Sequence, residues 1–191
     1  MSDIVLTGIT KRFEEKTVLE NRDFNFPEGR ITCVMGPSGS GKTTLLMLIA
    51  GLSAPDAGEI RGVPERLAFV FQEDRLCEDF NAAANVRLVT GKRVRNEEIR
   101  AELIKLGIPE ESLAQPVREY SGGMKRRVSI ARAILSDPEL VLLDEPFKGL
   151  DEKLRADVMD EVRRTLQGKT VILVTHDPDE AEYLGGNVIE I

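Results

Sequence analysis

The sequence predicts an α/β fold: a mostly parallel sheet with helices, an antiparallel β part near the start, and an inserted helical segment in the middle. Three observations predict it. A short apolar run without alternation at 30–35 reads as a strand buried on both faces, 141–143 as a second buried strand, and 170–174 as a further strand. Helical stretches alternate with these strands, which argues for a parallel sheet. Residues 79–113 break the alternation: they lack β-branched runs, carry many charges, and space Ile99, Leu103 and Leu106 as a helix does.

The elements follow in order. Residues 4–8 and 17–26 carry β-branched and aromatic side chains and read as antiparallel strands, with a turn at Pro27 to Gly29. The buried strand 30–35 leads into a glycine-rich loop. A helix over 43–50 follows, closed by Gly51. A turn at 54–58 precedes strands near 58–62 and 67–71. Ser121 is a good N-cap for the next helix. Then come the strand at 141–143, a helix over 151–166, the strand at 170–174, a helix over 179–184 and a last strand over 187–191. One domain spans 1–191. Residues 1–78 and 121–191 form its α/β core with the antiparallel part, and 79–120 its helical subdomain.

A chain of 191 residues has the length of a single domain, and 41% hydrophobic with 31% charged residues is an ordinary globular composition. The net charge of −7 argues against a nucleic-acid partner, which needs a basic stripe. Lys125, Arg126 and Arg127 read as a solvated or acid-paired helix face, and the mixed charges of 92–105 as another. No apolar run approaches the roughly 18 residues needed to cross a bilayer. The start lacks the basic and apolar regions of a signal peptide, so a cytoplasmic location is expected. Cys33 and Cys77 form no CxxC or Cys/His cluster and read as two buried thiols.

The residues that carry chemistry stand in three places. Gly36, Pro37, Ser38, Gly39, Ser40, Gly41, Lys42 and Thr43 fit G-x-x-x-x-G-K-[ST], between a strand and a helix. The glycines let backbone N–H groups turn inward around phosphate oxygens, and the helix adds its positive end. Lys42 is placed to reach the β- and γ-phosphates and the Thr43 hydroxyl to ligate Mg²⁺. The loop resembles the phosphate loop of P-loop NTPases, which implies a core of that kind. Asp144 ends an apolar strand, where a carboxylate can hold Mg²⁺, and Glu145 beside it suits polarising a water. Ser121, Gly122 and Gly123 open a helix with a hydroxyl and free N–H groups, which suit an anion.

The order of these motifs along nearly the whole chain resembles the nucleotide-binding subunit of an ATP-binding cassette (ABC) transporter. The resemblance places Phe13 on adenine and residues Gly36 to Thr44, including Thr44 itself, around ATP. It places Gln72 with Thr43 and Asp144 at Mg²⁺, and gives Gln72 contacts to the γ-phosphate and the permease. Ser121, Gly122 and Gly123 would contact the ATP held by the opposite subunit. Asp151 would link the two sites across the dimer, and His176 would contact the γ-phosphate and support Glu145. It implies ATP and Mg²⁺ as cofactors and an ATPase coupled to transport. The implied partners are a second copy facing head to tail, separate transmembrane permease subunits and a substrate-binding protein on the far side. The expected position is peripheral, at the inner face of the membrane.

Residues 71–76, with Glu145, Pro146 and Phe147, are similar to the nitrate/sulfonate/taurine importer group, so the cargo is expected to be a small anion or organic solute. A soluble ABC ATPase of iron–sulfur assembly is the competing reading; no second cassette or long coiled-coil insertion points to translation or repair types. The apolar residues Leu76, Cys77, Phe80, Val86 and Leu88 near Gln72 suggest either a dock for a permease helix, with some of them exposed, or side chains that all pack inside the helical lobe. The sequence departs from the family at Met124, where glutamine is usual, and at 147–150, where small residues are common. It also ends directly after the last expected strand, so no regulatory extension is expected.

Overall fold

The computed structural model of the chain describes residues 2–14 and 16–191. They divide into two units: the first holds residues up to Phe69 with Glu139–Glu145 and Gly168–Ile191, and the second holds Val70–Pro138 with Pro146–Gln167. The helical segment expected over 79–120 thus shares its unit with the helices after Ser121 and Asp151, which the sequence reading assigns to the core.

The first unit contains two sheets. β1 (Ile4–Phe13) lies between β2 (Lys16–Phe26) and β4 (Ala57–Arg61), both antiparallel to it. β1 runs further than the expected 4–8. Its register shifts at Gly8, whose φ is +62° and whose N–H donates to Asp23 at 2.6 Å, and this bulge breaks the alternation that a sequence reading follows. The second sheet has the order β5 (Leu67–Val70), β6 (Leu140–Asp144), β7 (Thr170–Val174), β3 (Ile31–Met35) and β8 (Asn187–Glu190). β3 pairs parallel with β7 and β8, and β6 pairs parallel with β7. Every residue of β6 and β7 is buried, as runs without alternation require. Ile4, Leu6, Phe24 and Phe26 of the antiparallel sheet join Leu45, Leu46 and Ile49 of α1 (Lys42–Ile49) and Leu142 and Ile172 of the parallel sheet in one core. α6 (Pro178–Leu184) completes this unit.

The second unit is built on α2 (Ala82–Thr90), α3 (Asn96–Lys105), α4 (Gly122–Leu135) and α5 (Glu152–Thr165). Ile99, Leu103, Val86, Val128, Val158 and Val162 are buried there. Asn81 caps α2 by accepting from the Ala84 N–H at 2.8 Å. Asn85, fully buried, donates to the Cys77 and Asn81 carbonyls and accepts from the Cys77 N–H. That clamp fixes the Cys77 backbone and leaves its side chain outward, so of the two thiols expected inside only Cys33 is buried. Burial, with Glu180 nearby, pushes the Cys33 thiol up to about 11. Glu102 also departs from the expected solvated face of 92–105: it is 6% exposed on the side of α3 turned toward Glu161 of α5.

Candidate functional site

In the first unit the loop from β3 to α1 is shaped by close approaches. A Cβ on Gly36 would stand 2.3 Å from the Ile191 carbonyl oxygen, and Gly39 takes φ +81°. Pro37, Ser38 and Gly39 are exposed, while Ser40 is half-buried and its Oγ has no hydrogen-bond partner. α1 starts at Gly41 with no side-chain cap and no acid in its first turn, so its positive end is uncompensated. Lys42 is 8% exposed and folds back on the loop, donating to the Gly36 carbonyl at 2.7 Å and the Pro37 carbonyl at 2.8 Å. A buried ammonium on neutral carbonyls, an orphaned hydroxyl and a bare helix end fit one occupant, a cluster of phosphate oxygens. Thr44 follows, half-buried.

The strand ends bring the acids to this loop. Asp144, 2% exposed, accepts from the Thr43 hydroxyl at 2.8 Å. Hydroxyl and carboxylate are oxygen donors of the kind Mg²⁺ takes, and a magnesium ion commonly adds phosphate oxygens and waters to one or two protein ligands. No cluster of three or more His, Cys, Asp or Glu residues among the described residues could hold a metal alone. Glu145 leaves β6 with φ 46°, its N–H donating to the Val174 carbonyl at 2.9 Å. This left-handed turn lets its carboxylate come within 3.3 Å of His176 Nδ1. His176 itself is placed by its neighbours: the Thr175 hydroxyl donates to Glu180 at 2.5 Å and accepts from the Asp177 N–H at 3.1 Å, and Asp177 caps α6. Phe13, at the end of β1, is 48% exposed, with Lys11 Nζ 5.2 Å from its ring centroid. It is therefore no core residue.

Gln72, Ser121, Gly122, Gly123 and Asp151 belong to the second unit. Ser121 caps α4, its hydroxyl accepting from the Met124 N–H at 3.2 Å. Asp151 caps α5 through the Leu154 N–H at 3.1 Å. A Cβ on Gly122 would meet nothing within 4 Å, and one on Gly123 would touch Leu150 at 3.4 Å. Gln72 is exposed. Arg126 and Arg127 correct the sequence expectation of a solvated face, although Arg126 is acid-paired as expected, its Nε 3.2 Å from Asp74. They are 7% and 6% exposed, and their guanidinium groups donate to the backbone carbonyls of Phe71 and Gln72 and of Gly123, Leu106 and Gly107 respectively. Lys125 also pairs with an acid, Glu78, at 2.7 Å. The one sequence sign of the buried arginines is their place inside an otherwise apolar helix stripe, beside Val128, Ile130 and Ala131.

The ABC transporter family model matches residues 19–148. The chain belongs to the ABC transporter family. This ABC cassette is 40% identical over 190 residues to the aliphatic sulfonates import ATP-binding protein SsuB 3 of Rhodococcus jostii, covering 97% of this chain and 70% of that one. It is 39% identical over 199 residues to the Fe(3+) ions import ATP-binding protein FbpC of Pseudomonas fluorescens, covering 95% of this chain and 56% of that one. Among solved structures, the dimeric MJ0796, a bacterial ABC transporter cassette, matches with a TM-score of 0.88 and 30% identity, over 98% of this chain and 94% of that one. The same cassette in a post-hydrolysis state bound to ADP and Pi matches with a TM-score of 0.86.

Proposed function

We propose that this ABC cassette binds and hydrolyses ATP to drive a membrane importer, and that two copies enclose each ATP. The observation that carries the reading is the pair of contacts at the strand ends: Thr43 on Asp144 beside the phosphate loop, and Glu145 against His176. On ATP binding Lys42 exchanges its loop carbonyls for β- and γ-phosphate oxygens, a charge-assisted gain. Ser40 and the α1 N–H groups take further oxygens. Thr43, Asp144 and Gln72 would hold Mg²⁺, which would supply positive charge to the phosphates. Glu145 accepts a proton from the attacking water, and His176 steadies the carboxylate and reaches toward the γ-phosphate. The exposed ring of Phe13 stacks on adenine. Ser121, Gly122 and Gly123 of one copy close over the γ-phosphate in the other, and Asp151 contacts the partner's site.

No helix among the described residues is long and apolar enough to cross a membrane. The transmembrane part of the importer is read as a permease partner. We place the cassette at the cytoplasmic face of the membrane. Phe80 and Leu88, 46% and 56% exposed, support a dock on the helical unit, whereas Val86 is fully buried and takes no part in it. The cargo reading is a small anion or organic solute delivered by a binding protein, with sulfonates the first class to assay. Phosphate release from Mg-ATP, measured beside Lys42→Ala, tests the site. The wild type should turn over, and the variant should lose about ten- to a hundredfold in ATP affinity, the worth of one strong charged hydrogen bond. Unchanged affinity in the variant would remove the loop from the site.

A further inference from the structure

Gln72 lies in a segment without regular structure, yet the carbonyls around it are taken up one after another by a single helix face. Arg126 of α4 donates from Nη1 to the Phe71 carbonyl and from Nη2 to the Gln72 carbonyl, and its Nε lies 3.2 Å from Asp74. Three residues further on, the Ser129 hydroxyl donates to the Asp74 carbonyl at 2.8 Å. After another three, Arg132 donates to the Asp74 carbonyl at 3.3 Å and the Arg75 carbonyl at 3.0 Å. Three-residue steps keep these donors on one side of the helix. The same helix is headed by Ser121, and Arg127 beside the clamp donates to the Gly123 carbonyl at 3.0 Å.

We propose that Arg126, with Ser129 and Arg132, is a positioning residue that pins the Gln72 segment to the helix headed by Ser121, so that the two travel as one rigid piece. The inference rests on the role given to Gln72 above. Holding the carbonyls of residues 71 and 72 fixes the peptide planes on both sides of the Gln72 Cα and leaves only its side-chain torsions free. A planar guanidinium can take two successive carbonyls at once; a lysine ammonium is a single compact charge and does not reproduce that fork. Arg126 touches no substrate in this account and acts through Gln72.

The test is a set of kinetic and cleavage measurements on the full chain. Arg126→Gln and Arg126→Lys should each lower kcat for ATP by about tenfold, with KM within about twofold of wild type, as expected when geometry rather than binding is lost. In a Gln72→Ala background neither should lower kcat further, since residues acting through one group are non-additive. Trypsin should cut after Arg75 about tenfold faster in Arg126→Gln, because the clamped segment is released to open locally. Losses that add to those of Gln72→Ala, or a raised KM at wild-type kcat, overturn the proposal. Should Gln72→Ala keep full activity, the role of Gln72 falls and cleavage alone decides the clamp: faster cutting upholds it and an unchanged rate overturns it. Ser129→Ala, which removes one hydroxyl donor, carries the same measurements if the arginine variants fail to fold.

Discussion

Nδ1 of His176 lies 3.3 Å from Oε1 of Glu145, and the two side chains differ sharply in exposure, 64% against 17%. The ring can meet a ligand while the carboxylate stays fixed beneath it. Glu145→Gln keeps the shape and removes the base. Phosphate release should fall by about a hundredfold or more, while ATP binding persists through Lys42 and the loop. ATP that bridges two chains without being consumed stabilises their complex by mass action. Light scattering should therefore show a dimer with Mg-ATP and a monomer with ADP. A variant that turns over at the wild-type rate, or stays monomeric in saturating ATP, would take Glu145 out of the reaction.

Gly122 offers a clean test of the second copy. Within its own chain a Cβ at this position meets nothing, so Gly122→Ala and Gly122→Asp should leave the melting temperature within about 2 °C of wild type. If another chain's γ-phosphate approaches there, Gly122→Asp should cut ATPase activity at least about tenfold through like-charge repulsion. Met124→Gln should keep or modestly raise activity, because Ser121 and both glycines remain. Greater damage from Met124→Gln than from Gly122→Asp would refute the contact.

Phe13 should contribute to nucleotide affinity through its exposed ring. Phe13→Ala is expected to weaken ATP binding by about three- to tenfold, the scale of one aromatic stack, and Phe13→Tyr to preserve it. Calorimetry with a non-hydrolysable ATP analogue measures both. Equal affinities for alanine and phenylalanine would leave adenine without this partner.

Glu102 gives the helical unit a pH dependence. Burial and the neighbouring Glu161 push its carboxyl up to about 7, against smaller opposing effects of Lys105 and Arg164, while Glu161, hydrogen-bonded by Arg164, is held low. A raised folded pKa means the folded state binds the extra proton. The contribution is whole below the ordinary glutamate range and is lost as pH rises through about 7. Glu102→Gln removes that loss. It should raise the melting temperature by about 2–4 °C at pH 8 and change it little at pH 5. A gain of equal size at both pH values would rule out the titration.

The parts of this molecule legible in its sequence are those where one residue type has one physical use. β6 and β7 are apolar throughout because both faces are covered, and the glycine loop is marked by backbone shapes that side chains cannot take. Ser121 and Asp151 sit where an N-cap is needed and act as caps. Charges are less legible. Arg126, Arg127 and Glu102 read as surface residues because isolated charges avoid the interior. What buries them is tertiary: carbonyls of irregular segments for the arginines, and a second carboxyl group for the glutamate. Those partners exist only once the helices are packed.

The backbone at Glu145, turned into the left-handed region, sets protein durability against turnover. A glutamate in that conformation costs on the order of 1–2 kcal/mol, which glycine would not incur. Glu145→Gly should therefore fold more robustly than the natural chain while losing its base. Selection for heat resistance alone, blind to ATP consumption, would drift toward that replacement, and a thermostable cassette obtained in this way would be a dead engine.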